Sequence, residues 1–426
     1  MSHETVGREV LPSSSSPGLS FYLPQTPRPH TVLHIPESHT LYVGPLSCTR
    51  RHDIHARQYG DRDDVSFLFI DQEDVISGRY EDLMVQSIGQ LLDVLESSPR
   101  IIFLAVFCID DFLGTDEDAL VERLTERYPE CQFAIEHIDP VSINERQSMG
   151  AKKLVGQYRF IKPVPTEEHD RGINLMGVFV PFNQKCEMFQ LLEAWGVGPL
   201  RALYDCKTYE DYQAMGKSCL NLVFRTMQTG VADYLEDHLE IPYYVFAPSY
   251  DARAVAMGYK NIAQMLGCEA DAGYLDAQIS SCEKDAQDTV RLLDGMPVAI
   301  DCEFSLMTFA ATKALISYGF NVRHIFRSNH SFKLDAEAEE YVFSCCPQVR
   351  VERVARDFSA ATASASSEPG GKAEILALGV DCARILNARY VVDIWHDEGY
   401  FGFEGIHDLM ALIRETIRQD KRGVES

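Results

Sequence analysis

Seven consecutive apolar residues, Ile101-Ile102-Phe103-Leu104-Ala105-Val106-Phe107, run straight into Cys108. A strand with one wet face alternates apolar and polar side chains. An unbroken run implies a strand covered on both faces, and such strands belong to parallel sheets flanked by helices. The chain on either side follows suit. Residues 65–70 read as a strand, 81–95 as an amphipathic helix, 118–128 as a helix, 132–138 as a strand and 144–155 as a helix. Alternation of this kind predicts an α/β fold with right-handed crossovers.

The same reading continues to the C-terminus. After a Pro- and charge-rich stretch at 162–171, strands are expected at 173–179, 200–204, 219–224 and 241–246, and helices at 187–195, 227–239, 252–266 and 274–292. A third set follows: strands at 297–301, 321–326, 349–354 and 390–394, and helices at 306–318, 373–387 and 405–420. The Ser/Ala/Gly-rich stretch 357–372 reads as a mobile loop. The expected organisation is a disordered tail over 1–20 and α/β domains over 21–165, 166–292 and 293–426. Each domain is expected to be a Rossmann-like parallel sheet.

Two cysteines are placed alike. The apolar strand at 41–43 is stopped by Gly44-Pro45, because proline has no N–H for a ladder, and Cys48 comes at the following turn. Cys108 directly ends the 101–107 run. Both thiols are thus expected at the carboxyl ends of strands, the edge where open α/β sheets bind ligands. Two thiols at one edge are half of the four thiolates that an iron–sulfur cluster ordinarily takes. Free cysteine also packs as a small hydrophobe, so each of the two is either a ligand or core.

Composition narrows the function. A net charge of −25 argues against nucleic acid and anionic membrane surfaces, which are held by Lys and Arg. No apolar run approaches the length of about 18 residues that spans a bilayer. The polar, Ser/Pro-rich start lacks a signal-peptide core, so a cytoplasmic location is expected. The twelve cysteines show no CxxC spacing, which leaves zinc-finger and thioredoxin motifs unsupported, and without a secretion signal no disulfides are expected. No GxGxxG follows a first strand and no Walker A is present, so neither a dinucleotide site nor a P-loop is predicted.

Several segments in order resemble the nitrogenase component 1 superfamily. Val43-Gly44-Pro45-Leu46-Ser47-Cys48 is similar to that family's His-Gly-Pro-x-Gly-Cys, and Asp71 to Gly78 to the acidic-then-Gly segment after it. Phe107-Cys108-Ile109-Asp110 resembles the next cluster cysteine and its helix. Ile173-Asn174-Leu175-Met176-Gly177 resembles Val-Asn-Leu-Ile-Gly. Phe224-Arg225 with Ile241-Pro242 resembles the second domain's helix start and following Ile-Pro. Gly399-Tyr400-Phe401-Gly402-Phe403-Glu404-Gly405 resembles the C-terminal Gly-rich signature.

The resemblance implies an oxidoreductase component that receives electrons from an ATP-dependent iron–sulfur reductase. It implies Cys48 and Cys108 as ligands, with a two-fold dimer supplying four thiolates to one interfacial 4Fe–4S cluster. The partner chain is a second copy or a related subunit. An upstream third cluster cysteine is missing. The cofactor cysteine of nitrogenase is replaced by Val223, and Cys219 lies four residues too early. The resemblance also implies that the three Rossmann-like domains surround a central cavity; the missing cofactor cysteine argues against a molybdenum- or vanadium-type cofactor there and leaves that cavity for an organic substrate.

Within that picture His396 and His330 are the candidate proton donors, with His396 also an axial metal ligand candidate, and Arg225 is a candidate for a substrate carboxylate. Against these stand a structural His396 bonded to Asp397 or Glu398, a surface His330, and a surface or interfacial ion pair for Arg225. Arg50 and Arg51 either offset cluster charge or serve solubility. Asp110 and Asp111 are expected to cap the helix after Cys108. The rival functions are an assembly scaffold for a cluster or cofactor and a cluster-free binding protein.

Overall fold

The computed structural model describes residues 9–10, 35–59, 62–138, 156–178, 182–225, 229–327, 332–353 and 372–424. In chain order its strands are β1 (Glu9–Val10), β2 (Ser38–Gly44), β3 (Val65–Phe69), β4 (Ile101–Phe107), β5 (Gln132–Ile138), β6 (Ile173–Met176), β7 (Leu200–Ala202), β8 (Leu220–Val223), β9 (Tyr243–Val245), β10 (Pro297–Asp301), β11 (Asn321–Arg327), β12 (Arg350–Arg353), β13 (Ala373–Leu378) and β14 (Ala388–Val392).

The apolar run is the interior strand β4, buried along its whole length. It lies in a sheet of order β3-β2-β4-β5. Its neighbours β2 and β5 are both parallel to it, with Val43 opposite Val106 and Val106 opposite His137. A second sheet has the order β7-β6-β8-β9 and a third the order β1-β12-β11-β10-β13-β14. Every pairing in these sheets is parallel, as the strand–helix alternation predicts. The fold is α/β with three parallel sheets.

Helices cover the sheet faces through stripes at helical spacing. The helix Tyr80–Val94 buries Tyr80, Met84, Val85, Ile88 and Leu91, which join Val43, Leu104 and Val106 in one core. A second core joins the first two sheets: Ile101 and Phe103 of β4, Met176 of β6 and Val223 of β8 share it with Tyr212 and Leu235. Accordingly His30–Phe179 and Val197–Val245 form one compact unit, while Val180–Gly196 and Phe246–Ser426 belong to another. The third sheet lies in the latter, with its own cores around Phe326 and Ile325.

Three local expectations are corrected. Residues 373–387 are strand β13 followed by a short helix, Val380–Ile385, not one helix. Ala373-Glu374-Ile375-Leu376-Ala377-Leu378 has helix-forming residues, but the place between β10 and β14 fixes it as a strand. Cys48 lies inside a helix, Leu46–Tyr59, and not at a bare turn. Glu9–Val10, within the expected disordered tail, pair in parallel with β12. The expected helix at 144–155, the loop at 357–371 and His330 lie outside the described residues. Among the described residues no helix is long and apolar enough to cross a membrane.

Candidate functional site

Each sheet has one place where the chain leaves a strand in one direction and later returns on its other side. At these switch points the loops diverge and a crevice opens at the carboxyl ends of the strands. The orders above put them between β2 and β4, between β6 and β8, and between β10 and β13. The three crevices are filled differently.

At the β2/β4 crevice stand Cys48 and Cys108. β2 ends at Gly44, and the Cys48 backbone N–H closes the turn by donating to the Pro45 carbonyl at 2.9 Å. Cys108 is the first residue of the helix Cys108–Leu113, whose N-cap residue is Phe107. Both thiols are half-buried, and neither is in a disulfide. Cys48 stands over an aromatic floor: Tyr42 stacks on His52 and Phe67 at 4.7 and 5.3 Å, and Phe107 meets His52 edge-on at 5.6 Å. Cys48 packs against the cluster containing Tyr42, Ala105 and Phe107. The loops and helices after β2, β3 and β4 also expose large apolar side chains, Leu46 (62%), Phe69 (55%), Ile76 (85%) and Phe112 (85%). Apolar exposure gathered at one sheet edge marks an interaction surface.

The expected capping by Asp110 is not how this helix begins, because its N-cap residue is Phe107, which makes no side-chain capping bond; the side chain of Asp111 lies outside the described residues. Asp110 lies inside the helix, 2% exposed, and accepts from the Thr115 hydroxyl at 2.8 Å. Burial raises its carboxyl above the ordinary carboxylate range, with the Thr115 hydrogen bond opposing.

The β6/β8 crevice holds Arg225. It follows β8, is 6% exposed, and its Nε–H donates to the carbonyl of Gly177, the residue after β6, at 2.9 Å. The guanidinium therefore ties together the two strand ends at the switch point and is not at the surface. Val223, where the nitrogenase cofactor cysteine would stand, is a fully buried core residue. Cys219 precedes β8 and donates its N–H to Gly172, so it lies at the amino end of the strand, away from the ligand edge.

The β10/β13 crevice is closed from within. Asp301, the last residue of β10, is fully buried. Its Oδ1 accepts the N–H groups of Glu303 and Phe304 at 3.0 and 2.9 Å, and its Oδ2 accepts that of Cys382 at 2.9 Å. The carboxylate occupies the place a bound phosphate takes in nucleotide-binding folds. Burial lifts it to about 6, against the pull of the Cys382 and Phe304 N–H groups. Gly379 is required here: its φ is +109°, and a Cβ would strike the Asp301 carboxylate.

His396 follows the edge strand β14. It and Asp397 both adopt left-handed backbone, φ 49° and 60°, an uncommon state for non-glycine residues. Their N–H groups donate to the Glu303 and Phe304 carbonyls at 2.7 and 3.0 Å. This turn is thereby stitched to the loop leaving β10. Asp397, 2% exposed, takes the Ser305 hydroxyl at 2.9 Å. The His396 ring is half-buried, 4.3 Å from the Trp395 ring.

Cys48 and Cys108 thus lie at neighbouring strand ends of one sheet, Arg225 at the edge of the next, and His396 in the other compact unit. Asp301 escaped the sequence reading, although an Asp closing a buried apolar strand, Val298-Ala299-Ile300-Asp301, carries the same end-of-strand signal that singled out Cys108.

The chain matches the family described as Nitrogenase component 1 type Oxidoreductase over residues 30–418. No curated protein matches it. Its fold is similar to the solved structure "Nitrogenase Cp1 at pH 6.5", with a TM-score of 0.69 and 16% identity over 95% of this chain and 96% of that one. It is also similar to "Nitrogenase Cp1 at pH 5", with a TM-score of 0.59 and 14% identity over 89% and 85% of the two chains.

Proposed function

The chain belongs to the nitrogenase component 1 type oxidoreductases, and from that premise we propose that it is the catalytic component of a two-component reductase. In this reading Cys48 and Cys108 of two copies, or of this chain and a related subunit, hold one 4Fe–4S cluster across a dimer interface. An ATP-dependent iron–sulfur protein docks nearby as electron donor. The carrying observation is that both thiols stand, half-exposed, in the helices that follow the two strands flanking one switch point, on a sheet edge that also exposes large apolar side chains.

The donor set fits such a group. Thiolates are its usual ligands, and two chains supply the four. When bound, the cluster supplies low-potential electrons one at a time. The chain's own residues do the rest. Tyr42, Phe67 and Phe107 exclude water from beneath Cys48. Leu46, Phe69, Ile76 and Phe112 become buried against the partner subunit, which lowers the local dielectric. Arg225, held at the strand ends through its bond to Gly177, is the proposed partner of a substrate carboxylate. His396 and His330 are the proposed proton donors, since an ordinary imidazole changes charge near pH ~6.5.

Iron and acid-labile sulfide in anaerobically purified protein test this reading. About two of each per chain, with a reduced 4Fe–4S signal in the EPR spectrum after dithionite, are expected. Cys48→Ala and Cys108→Ala should each lose them. Absence of iron after anaerobic reconstitution would overturn the reading in favour of a cluster-free binding protein. A full cluster without ATP-dependent turnover by the cognate reductase would make the chain a scaffold.

A further inference from the structure

A second set of donors converges beside the thiol edge, on residues the redox reading does not use. Asp110 comes from the helix after β4, Glu117 begins the helix Glu117–Arg127, and His137 is on β5 opposite Val106. One ligand atom of each lies within 4.8 Å of the other two. His137 Nε2 is 2.7 Å from Glu117 Oε1. We propose that these three side chains form a divalent transition-metal site, separate from the cysteines.

Charge and burial carry the argument. Two carboxylates face each other, and that of Asp110 is 2% exposed. Among the described residues the partners of Asp110 are neutral hydroxyls and this cluster, and Glu117 pairs with His137 alone. No Lys or Arg of the described residues compensates either carboxylate. A proton on His137 would balance one of the two negative charges and leave a buried carboxylate uncompensated, which is costly. A divalent cation with neutral imidazole balances both. The exposures of His137 and Glu117, 19% and 45%, leave an entry path and room for water ligands. One imidazole with two carboxylates suits Mn²⁺, Co²⁺, Zn²⁺ or Fe²⁺; Mg²⁺ and Ca²⁺ prefer oxygen alone. The ion would tie the helix that begins at Cys108 to β5 and to the next helix.

Co²⁺ titrated into the full chain is the probe. One Co²⁺ per chain is expected at this site, with visible d–d bands and no thiolate-to-metal charge transfer. Glu117→Gln should weaken binding by about tenfold or more, as should His137→Gln. The Glu117 variant keeps its fold, because its helix is capped independently by Asp116, which accepts the Ala119 N–H at 3.1 Å. The double variant Cys48→Ala/Cys108→Ala should retain the d–d bands. Three results would each overturn the proposal: no bound Co²⁺ lacking thiolate character, affinity unchanged by Glu117→Gln, or binding lost with the two cysteines. The last assigns the metal to the thiols, so this site and the cluster reading fail separately.

Discussion

The Phe403 backbone N–H donates to Glu187 Oε1 at 2.7 Å. The same oxygen accepts the Tyr259 hydroxyl at 2.6 Å, and Oε2 accepts the Glu404 N–H at 3.1 Å. Glu187, 6% exposed, therefore caps the helix Gly402–Val424 from far away in sequence. It supplies the acceptor and the negative charge that a helix start lacks. This explains Gly402 within the Gly-rich stretch at 399–405. Gly402 has φ +68°, and a Cβ there would strike the Glu187 carboxylate and the Tyr259 hydroxyl.

Gly402→Ala should accordingly cost about 2–4 kcal/mol, the sum of a left-handed alanine and a crowded buried contact. Gly399→Ala is the comparison. Its φ is +86° with nothing within 4 Å of the added Cβ, so only the backbone cost of about 1–2 kcal/mol applies. Chemical denaturation measures both. Equal losses would mean that the Glu187 contact contributes nothing to the requirement for glycine.

Thiol reactivity should separate the edge cysteines from the core ones. Burial pushes Cys186 and Cys282 up to about 12 from an ordinary 9.0, which leaves about a thousandfold less thiolate at neutral pH. In reduced, iron-free protein, timed iodoacetamide labelling read by mass spectrometry should modify Cys48, Cys108 and exposed Cys345 well before Cys186, Cys282 and buried Cys382. In cluster-bearing protein Cys48 and Cys108 should become protected while Cys345 stays reactive. Protection of Cys345 but not of the pair would point to a different ligand set.

The parallel sheets were legible because their strands are buried on both faces, and an apolar run such as Ile101–Phe107 has no other stable home. The position of Cys108 directly after β4 was legible for the same reason, whereas Cys48, read at a turn, lies in the helix that starts at Leu46. What local sequence could not supply were partners distant along the chain. Ala373–Leu378 reads as helix until β10 and β14 are known to flank it. The roles of Glu187 and Asp301 depend on N–H groups brought to them by folding, from residue 403 and residue 382. Asp110 was read as a cap because Asp near a helix start usually is one. Here the helix starts at Cys108, which carries Asp110 past the capping position into the interior.

Asp301 predicts a pH dependence with a definite sign. In the unfolded chain its carboxyl ionises near the ordinary value of about 3.9; in the folded protein it ionises at about 6. Below about pH 4 both states hold the proton and the group contributes no slope. Between the two values the unfolded chain releases its proton first, so stability falls as pH rises. The loss is complete above about pH 6 and amounts to about 3 kcal/mol. Buried Asp335, which caps the helix Thr308–Tyr318 through the Phe309 and Ala310 N–H groups and is also raised to about 6 by burial, adds a slope of the same sign. The stability of wild type relative to Asp301→Asn should therefore decrease between pH 4 and 7. A difference independent of pH would show that Asp301 ionises alike in both states.

The Gly44-Pro45 step couples the backbone to the thiol pair. A Cβ on Gly44 would lie 2.6 Å from Cδ2 of Phe107, so Gly44→Ala must displace that ring. Phe107 is the residue from which the Cys108 helix starts, and it is part of the floor beneath Cys48. The substitution should cost about 1–3 kcal/mol as overpacking. It should also lower iron per folded chain by roughly half or more, because a ligand pair displaced by a fraction of an ångström no longer holds its group well. Gly89→Ala supplies the control. It crowds the Tyr128 hydroxyl at 2.7 Å, within the helix Tyr80–Val94, and should lose stability while keeping its iron. If both variants keep full iron, or both lose it in proportion to stability, the Gly44–Phe107 contact does not set the spacing of Cys48 and Cys108.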